Sequence, residues 1–458
     1  MESSYSVLIE KQRRFFSTNQ TKNIGFRIQA LKQLKKNLSK QENALYQAIY
    51  TDIRKSEFEC YMTELSLIYH EIDLTCRKLK KWAAPQKVKT NLFNLPAKSY
   101  IISEPLGCTL IIGAWNYPFQ LTLIPLISSI AAGNTVILKP SELASESSSC
   151  IRRLIETTFS PEHVTVIEGG VKETQSLLEL RFDHIFFTGS TQTGKRIYEA
   201  AAKHLTPVTL ELGGKSPAII SDSCQLKTTV KRLVWAKFLN SGQTCIAPDY
   251  VYVSKKIEAD FIELIVQEIN SRNYSIENGN LTRIISPIHT RRLKELIPQH
   301  KVVLGGKTDE NSCFCEPTVL KEISWEDKLM QTEIFGPILP ILVYDDYNEL
   351  IQLLQNKEKP LASYLFSTDK TEQELFLQHL SFGNGAINDA IMQIGNSQLP
   401  FGGVGQSGIG SYHGKKGFDT FSHQKSILHK RMTIESSIKY SPYTLRKLKW
   451  IKRLTPWN

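Results

Sequence analysis

The sequence lacks the features of disulfide-rich, metal-binding or membrane-spanning proteins. Its eight cysteines are scattered, and only Cys313 and Cys315 lie close together, with no second Cys or His pair at zinc spacing. A metal site or a disulfide framework is therefore not expected, and a reducing compartment such as the cytoplasm fits better. The N-terminus has no basic region followed by an apolar core, so no signal peptide is expected. The best apolar run, around residues 121–132, is interrupted by polar residues and is too short to cross a bilayer.

Size and charge narrow the class of protein further. The composition, 41% hydrophobic and 22% charged, is ordinary for a soluble globular chain, and 458 residues are too many for one hydrophobic core. Two large lobes are therefore predicted. The net charge of +11 is of the kind found in proteins that bind nucleic acid or anionic lipid. Much of it is local, however, because residues 436–458 contain six basic residues and no acidic one. No nucleic-acid partner is expected.

The order of apolar segments predicts an α/β fold. Apolar residues recur at helical spacing in the first part of the chain, for example at Leu31, Leu34 and Leu38. From Cys108 onward, short continuous apolar runs alternate with helical segments, as is typical of a parallel sheet covered on both faces. A second such series begins near Leu210. The predicted strands are Leu110–Ile112, Thr135–Leu138, Val164–Ile167 and His184–Phe187 in the first series, and Pro217–Ile220, Tyr250–Val253 and Ile338–Val343 in the second.

Three segments contain residue types suited to covalent catalysis. Cys245 ends the run N-S-G-Q-T-C, where a turn could expose it as a nucleophile, although most free cysteines are small buried hydrophobic residues. Glu211 lies between two leucines, which would raise its pKa and suit it to act as a general base. The alternative is a strand-end carboxylate bound to the glycine amides that follow. Asn116, in the run G-A-W-N-Y-P-F, could direct its amide at an oxyanion or stabilise its own turn.

Three further segments are suited to binding a dinucleotide. The loop from Gly189 to Gly194 follows a predicted strand and opens a helix, which suits a phosphate, but it is not a clean G-x-G-x-x-G. Lys139 and Glu142 follow another predicted strand and could bind ribose hydroxyls or form a solvated surface pair. The run E-I-F-G-P, which begins at Glu333, pairs a carboxylate with an aromatic ring and could equally be an ordinary loop.

Together these segments resemble the aldehyde dehydrogenase superfamily, and most closely its class 3, fatty-aldehyde-type branch. The runs W-N-Y-P, K-P-S-E, F-T-G-S, E-L-G-G-K, G-Q-T-C, E-I-F-G-P and P-F-G-G-V-G-Q-S-G are each characteristic of the superfamily and occur in its order. The runs G-Q-T-C-I-A-P-D-Y and Y-H-G-K point to class 3 in particular. The resemblance extends from the N-terminal helices to His423. It implies NAD(P)-dependent oxidation of an aromatic or medium-to-long aliphatic aldehyde to a carboxylic acid.

The resemblance also implies a role for each candidate residue. Cys245 is expected to form a thiohemiacetal and then a thioester, Asn116 to donate to the oxyanion, and Glu211 to activate the hydrolytic water, although Glu333 is an alternative base. The cofactor-binding residues implied are Lys139 and Glu142 for the adenosine ribose, Gly189, Ser190 and Gly194 for the pyrophosphate, Glu333 for the nicotinamide ribose and Phe335 beside the nicotinamide. NAD is the expected cofactor, because Glu142 would repel a 2′-phosphate, and NADP is a second acceptor that class 3 members often use.

The fold implied by the resemblance has a Rossmann-like cofactor lobe, an α/β catalytic lobe and a β-arm that makes a homodimer. The implied boundaries are 1–89 and 105–209 for the cofactor-binding domain, 210–400 for the catalytic domain, 90–104 and 417–430 for the oligomerisation arm, and 431–458 for a basic C-terminal tail. This tail also contains apolar and aromatic residues, among them Leu448, Trp450 and Trp457. It could lie on the anionic inner surface of the membrane or pack on the dimer partner.

Two rival functions remain open on the same fold. One is an acylating relative, in which coenzyme A or phosphate removes the acyl group; a water-activating base at Glu211 argues for hydrolysis instead. The other is a binding or scaffold protein without activity. The joint presence of Cys245, Asn116 and Glu211 argues against that second alternative.

Overall fold

The structure, a computed structural model, describes residues 4–432 and 434–454. Its helices are α1 (Ser4–Ser17), α2 (Ile24–Lys40), α3 (Glu42–Ile53), α4 (Glu57–Cys60), α5 (Ser66–Trp82), α6 (Gln120–Ala132), α7 (Ser145–Glu156), α8 (Val171–Leu178), α9 (Thr191–Ala202), α10 (Leu226–Phe238), α11 (Glu258–Ser271), α12 (Pro287–Leu296), α13 (Lys328–Gln331), α14 (Tyr347–Gln355), α15 (Lys370–His379), α16 (Gly414–Thr420) and α17 (Leu445–Leu454). Its strands are β1 (Gln86–Val88), β2 (Ala97–Pro105), β3 (Cys108–Ile112), β4 (Thr135–Lys139), β5 (Val164–Val166), β6 (His184–Thr188), β7 (Val208–Glu211), β8 (Pro217–Ile220), β9 (Tyr250–Ser254), β10 (Val302–Leu304), β11 (Thr308–Asp309), β12 (Phe314–Cys315), β13 (Thr318–Leu320), β14 (Ile338–Tyr344), β15 (Ala362–Phe366), β16 (Asn384–Ile387), β17 (Gly408–Ile409) and β18 (Ser422–Lys430).

The first large sheet has six strands in the order β17-β7-β6-β3-β4-β5. All neighbours are parallel except β17 and β7, and β3, β4 and β6 are buried along their whole length, as their continuous apolar runs predict. Strands β3 to β7 lie in the 3-2-1-4-5 order of a Rossmann-like half. The strand order across the sheet reverses between β3 and β6, which are themselves parallel. Ligands of such sheets bind beyond the carboxyl ends of the strands at this point. Gly113 follows β3 there, and Gly189 follows β6.

The second large sheet has seven strands in the order β10-β13-β14-β9-β8-β15-β16. Its neighbours run parallel except for β10 and β13 at one edge. The predicted parallel α/β character of both series is thus confirmed. A separate two-stranded ribbon pairs β11 with β12.

Helix α6 connects the turn after β3 to β4 and lies within the hydrophobic core. Every one of its residues is buried, and it contacts α2, α5 and α16 as well as β3 and β4. The broken apolar run noted in the sequence is therefore a core helix. Because α6 begins at Gln120, its N-terminus lies directly after the turn that contains Asn116.

A three-stranded antiparallel sheet joins two segments that are far apart in sequence. Strand β2 pairs with β1 on one side and with β18 on the other, with partners from Pro105 opposite Ser422 to Ala97 opposite Lys430. Most of its residues are half-exposed or exposed. We call this three-stranded sheet the arm.

Beyond β18 the described chain ends in α17, which has no buried residue and contacts the arm near residues 92–94. Trp457, named in the prediction for the tail, lies outside the described residues, as do residues 433, 455, 456 and 458. Within the described ranges, no helix combines the length and the apolar character that crossing a membrane requires.

Candidate active site

Cys245 follows a turn with unusual backbone geometry. Asn240 and Ser241 have φ of 53° and 51°, and Gly242 has φ of 68°, all in the left-handed region. A Cβ at Gly242 would lie 2.3 Å from the carbonyl oxygen of Gly336, so only glycine fits there. Two consecutive non-glycine residues in this region are strained, and such strain persists only where the surroundings hold it and is concentrated at functional sites.

The turn after β3 is bonded directly to the turn that carries Cys245. The side-chain amide Nδ2 of Asn116 donates to the carbonyl oxygen of Gln243 over 3.0 Å. Close by, the hydroxyls of Tyr117 and Thr244 are 2.6 Å apart. Asn116 is 3% exposed. The structure thus brings the turns of Asn116 and Cys245 together, although Asn116 follows a strand of the six-stranded sheet and Cys245 lies between two strands of the seven-stranded sheet.

Glu211 ends β7 as a buried carboxyl group without a hydrogen-bond partner. The side chain is 3% exposed, and neither Oε1 nor Oε2 accepts a hydrogen bond from any described residue. The alternative of a carboxylate bound to the glycine amides is therefore wrong. Burial raises the pKa of Glu211 well above its ordinary value.

Glu333 lies in the loop after α13, and its carboxyl group, unlike that of Glu211, has polar and charged neighbours. A Cβ at Gly213 would come 2.0 Å from its Oε2, so Glu333 packs directly against the glycines after Glu211. Burial and the nearby Asp249 raise the pKa of Glu333 to about 8, while the Gly214 amide, Lys215 and Arg292 act in the opposite direction.

Cys245 is half-buried, and the charges of both glutamates act on its thiol. Burial raises its pKa above the ordinary range, and the negative charges of Glu333 and Glu211 raise it further. In this state the thiol is protonated at neutral pH. Attack on a carbonyl carbon therefore requires a base to accept its proton, or a nearby positive charge to lower its pKa.

The other predicted cofactor residues lie at the carboxyl edge of the six-stranded sheet. The Nζ of Lys139 and the Oε2 of Glu142 are 3.0 Å apart, with the lysine side chain 3% exposed and the glutamate 43% exposed. This pair does form, as one reading of the sequence proposed, but its lysine is buried rather than solvated. The hydroxyl of Ser190 accepts a hydrogen bond from the amide of Thr193 and so caps the N-terminus of α9.

Two glycines of the same edge are sites of close approach. A Cβ at Gly189 would meet the ring of Phe187 at 2.5 Å, and a Cβ at Gly194 would meet the side chain of Leu212 at 2.5 Å. The second contact allows α9 to pack tightly beside the end of β7. This edge therefore offers a capped helix N-terminus with close backbone approach, beside the Lys139–Glu142 pair, and these groups fit a dinucleotide.

Phe335 belongs to a cluster of aromatic rings contributed by separate segments of the chain. Its backbone has φ of 50°, and its ring packs edge-on against Trp115 with centroids 5.4 Å apart. Trp115 in turn packs edge-on against His289 at 5.6 Å. The ring of Phe335 thus lies beside the residue that precedes Asn116.

Two openings are each lined by a residue of the predicted site. An almost wholly apolar cavity of about 240 Å³ includes Cys245 in its wall. A larger and more polar groove of about 680 Å³ includes Glu333, Gly213 and Thr191. The apolar lining of the cavity that contains Cys245 also includes Met62, Leu67, Trp235, Leu239, Ile391 and Phe401. The apolar cavity offers a carbonyl compound an entry to Cys245, and the more polar groove lies at Glu333.

No sequence motif marked several residues that belong to this site. Met62 and Leu67 come from the N-terminal helices and showed only ordinary helical spacing, so nothing local linked them to Cys245. Tyr412 is fully buried, its hydroxyl has no hydrogen-bond partner in the described chain, and the charges of Glu211 and Cys245 add to the rise of its pKa caused by burial. Its place in the run Y-H-G-K was the one available signal.

The sequence profile of the aldehyde dehydrogenase family matches residues 3–427. The chain belongs to the aldehyde dehydrogenase family. It is 45% identical to the 4,4′-diaponeurosporen-aldehyde dehydrogenase of Staphylococcus aureus, over 96% of each chain. It is 41% identical to a rat dimeric NADP-preferring aldehyde dehydrogenase, over 95% of this chain and 97% of the relative. A solved structure of Staphylococcus aureus AldH in its substrate-bound state superposes with a TM-score of 0.96 at 43% identity, covering 99% of both chains.

These comparisons confirm the fold and the class of reaction predicted from the sequence. This aldehyde dehydrogenase oxidises aldehydes to carboxylic acids and uses NAD or NADP as hydride acceptor. The reading of the chain as an inactive scaffold is set aside by the same findings. Several relatives belong to family 3, among them a member A2 from Pongo abelii at 42% identity, in agreement with the class 3 resemblance.

Proposed function

We propose that Cys245 attacks the aldehyde carbon, so that a C–S bond forms, the thiol proton passes to a water molecule and the carbonyl oxygen becomes an oxyanion. The amide Nδ2 of Asn116 and the main-chain amide of Cys245 stabilise this oxyanion, each by about 2.7–4 kcal/mol. Loss of hydride from the same carbon leaves a thioester on Cys245. NAD(P)+, when bound, supplies the hydride acceptor. Glu211 then takes a proton from water, which attacks the thioester and releases the acid and the thiol.

The single observation that carries this proposal is the unpaired carboxyl of Glu211 close to the thiol. A carboxylate with no partner and a raised pKa is a stronger base than an ordinary glutamate and is free to accept a proton from water. A base for water favours hydrolysis over transfer to coenzyme A. The test measures NADH formation and the acyl product with a medium-chain aldehyde, with and without coenzyme A. Free acid and an unchanged rate support the proposal, whereas a requirement for coenzyme A with acyl-coenzyme A as product would contradict it.

The apolar cavity supports an aldehyde with an aliphatic chain or an aromatic ring. Its wall beside Cys245 is almost entirely apolar, and each methylene buried there is worth about 0.8 kcal/mol. One of the relatives is named for 4,4′-diaponeurosporen-aldehyde. We therefore expect kcat/KM to rise with chain length across a series of unbranched aldehydes. Equal values for acetaldehyde and decanal would count against this substrate class.

For the cofactor we propose NAD, with NADP also accepted. Lys139 and Glu142 would hold the adenosine ribose, while Gly189, Ser190 and Gly194 would line the pyrophosphate at the N-terminus of α9. The carboxylate of Glu333 would accept from the nicotinamide ribose, and Phe335 would pack near the nicotinamide. The cofactor-binding domain would comprise residues 1–89 and 105–209, and the catalytic domain would comprise residues 210–400.

The arm supports the proposal of a homodimer. Its outer strands β1 and β18 each have one edge without a partner strand among the described residues, and such edges pair readily with another chain. One relative is named a dimeric enzyme. Residues 90–104 and 417–430 remain the segments that we propose for oligomerisation; the sheet itself also contains β1 (Gln86–Val88), and the second segment begins within α16. Light scattering after size-exclusion chromatography should give twice the chain mass of 52.1 kDa, and a monomer at micromolar concentration would contradict the assignment.

For the tail, residues 431–458, we propose peripheral contact with the anionic inner surface of the membrane by a cytoplasmic enzyme. All eight cysteines are free, which fits a reducing compartment. Helix α17 is exposed and carries Arg446, Lys447, Lys449, Lys452 and Arg453 beside exposed apolar residues such as Trp450. At low salt each such base adds about 1 kcal/mol of attraction to an anionic surface.

Vesicle binding tests the tail proposal. The full chain should bind phosphatidylglycerol vesicles less strongly as salt rises, and deletion of residues 441–458 should abolish binding while turnover of a short aldehyde remains. Equal binding of both proteins would refute the proposal. If the deletion abolishes the dimer, the tail packs on the partner instead.

A further inference from the structure

A group of charged side chains from the N-terminal helices lies beneath the two turns of the active site. Lys55 and Glu64 are completely buried, and the Nζ of Lys55 is 3.1 Å from the Oε1 of Glu64. Glu59 lies between them in sequence, on α4. A π-helical turn, Tyr61–Leu65, connects α4 to α5 and carries Glu64. Such turns are rare and occur often at functional sites.

Lys55 binds the turn that carries Asn116. Its Nζ donates to the main-chain carbonyl oxygen of Asn116 over 3.2 Å, and the Nδ2 of Asn240 donates to the same oxygen over 3.0 Å. The ammonium group also lies 4.1 Å from the centre of the Tyr117 ring. One carbonyl therefore receives donors from the N-terminal helices and from the Cys245 turn together.

Glu64 fixes the end of the same turn. While its Oε1 pairs with Lys55, its Oε2 accepts hydrogen bonds from the main-chain amides of Phe119, at 2.9 Å, and Gln120, at 3.2 Å. These amides begin α6, where a negative charge is favoured by the helix dipole. The side chains of Lys55 and Glu64 thus hold the backbone of this turn at both ends, at Asn116 and at the start of α6.

Glu59 binds the second turn. Its Oε1 accepts a hydrogen bond from the main-chain amide of Asn240 over 2.8 Å. Asn240 is the first of the three residues with positive φ before Cys245, so this bond acts where the backbone is most strained. The hydrogen bond from the side-chain amide of Asn116 to the carbonyl oxygen of Gln243 links the two turns directly.

We propose that Lys55, Glu59 and Glu64 are positioning residues, which hold the oxyanion donor Asn116 and the nucleophile Cys245 at a fixed separation. The proposal rests on the roles proposed above for those two residues. The same segment contributes Met62 and Leu67 to the wall of the apolar cavity. The N-terminal helices therefore both enclose the substrate and align the groups that react with it.

A double-mutant cycle between Lys55 and Asn116 tests this proposal. Lys55→Met should lower kcat on the order of 100-fold, because a displacement of about 1 Å in an aligned site has that effect, with little change in the aldehyde KM. In the Asn116→Ala background the same substitution should lower kcat less than about threefold, because the group that Lys55 aligns is already absent. A purely structural role would give the same loss in both backgrounds.

Lys301→Met provides the matched control. Lys301 pairs with Asp327 at 2.8 Å, with both side chains less than a fifth exposed, and neither residue belongs to the proposed active site. This variant should lose a comparable ion pair and keep kcat within about threefold of the wild type. A hundredfold loss of kcat in Lys301→Met would mean that any lost ion pair has this effect, and it would overturn the proposal.

Since Lys55→Met leaves Glu64 buried without its partner, that variant can fail to fold. The cycle is then run with the double substitution Lys55→Met and Glu64→Gln, which removes both charges and retains an oxygen for the amides of Phe119 and Gln120. Additive losses with Asn116→Ala, when Asn116→Ala alone is impaired, overturn the positioning proposal and leave the role of Asn116 intact. Wild-type kcat in Asn116→Ala shows instead that the proposed oxyanion donor is wrong, and the positioning proposal falls with it.

Discussion

The two glutamates beside Cys245 occupy opposite kinds of environment. Glu211 ends a buried strand, and neither of its carboxylate oxygens has a hydrogen-bond partner among the described residues. Glu333 lies in a loop at a polar groove, where the amide of Gly214 and the charges of Lys215 and Arg292 lower its pKa against the effect of burial. The carboxyl group of Glu211 is thus free of partners, whereas that of Glu333 is held by its neighbours.

This difference teaches how two carboxyl groups can serve one thiol without sharing a task. A group that must take a proton needs a raised pKa and carboxylate oxygens that are not already hydrogen-bonded, and Glu211 has both. A group that must orient a ligand gains from being fixed, which fits Glu333. We expect substitutions of Glu211 to affect proton transfer and substitutions of Glu333 to affect the positioning of the ligand.

The largest effect is expected from the residue that both glutamates face. Cys245→Ser should lower dehydrogenase turnover by about 10⁴-fold or more, because a serine hydroxyl is a far weaker nucleophile, while NAD binding measured by calorimetry is retained. In this background, further substitution of either glutamate should have no effect on turnover. Cys224→Ser, at another half-buried cysteine, is the control and should keep normal turnover. Turnover near the wild-type value in Cys245→Ser would refute the mechanism.

The next effect separates the two glutamates by reaction step. Glu211→Gln should slow deacylation by about 10²–10⁴-fold, so that rapid mixing shows a burst of roughly one NADH per active site before a slow steady state. Glu333→Gln should slow hydride transfer and show no burst. The proposed division would be reversed if the burst appeared in Glu333→Gln and was missing in Glu211→Gln.

The pH dependence should follow the same division. Because burial raises the pKa of Glu211, its carboxyl becomes protonated, and so loses the capacity to act as a base, as the pH falls through that raised value. The steady-state rate of the wild type should therefore rise with pH up to a value well above the ordinary pKa of glutamate. In Glu211→Gln the dependence that belongs to deacylation should disappear. Persistence of the same profile in that variant would assign the titration to another group.

The smallest effect is expected at a third carboxylate, Glu142, which is partly exposed to water. Glu142→Gln removes a charge proposed to face the 2′ position, and in a high dielectric this is worth about 1 kcal/mol, or roughly fivefold in the ratio of kcat/KM for NADP to that for NAD. Lys139 should then lose its partner without loss of turnover with NAD. An unchanged ratio would mean that Glu142 does not face the 2′ position.

The sequence predicted the sheets and the catalytic candidates because their signals are local. Continuous apolar runs such as His184–Phe187 coincide with buried parallel strands, and a cysteine after a glycine turn is visible within six residues. Whether Glu211 would bond to the neighbouring glycine amides could not be decided locally, because that depends on how the chain packs around the end of β7. The structure decides it in favour of a free carboxyl.

The support beneath the site could not be predicted from the sequence. Lys55 lies between α3 and α4, and Glu64 lies in the π-helical turn before α5, while their partners at Asn116 and Phe119 are far away in the chain. Charged residues at such positions are usually solvated, so their complete burial became evident only from the packing of the N-terminal helices against α6. The positive φ of Asn240 and Ser241 was equally hidden, because neither residue is a glycine.

The most direct test of the account is the mass of the trapped acyl-enzyme. Glu211→Gln is mixed with decanal and NAD, quenched in acid and digested, and the peptide that contains Cys245 is examined by mass spectrometry. The account predicts a decanoyl thioester on Cys245, with no adduct when Cys245→Ser is added to the same chain. An unmodified Cys245, or an acyl group on another cysteine, would contradict it.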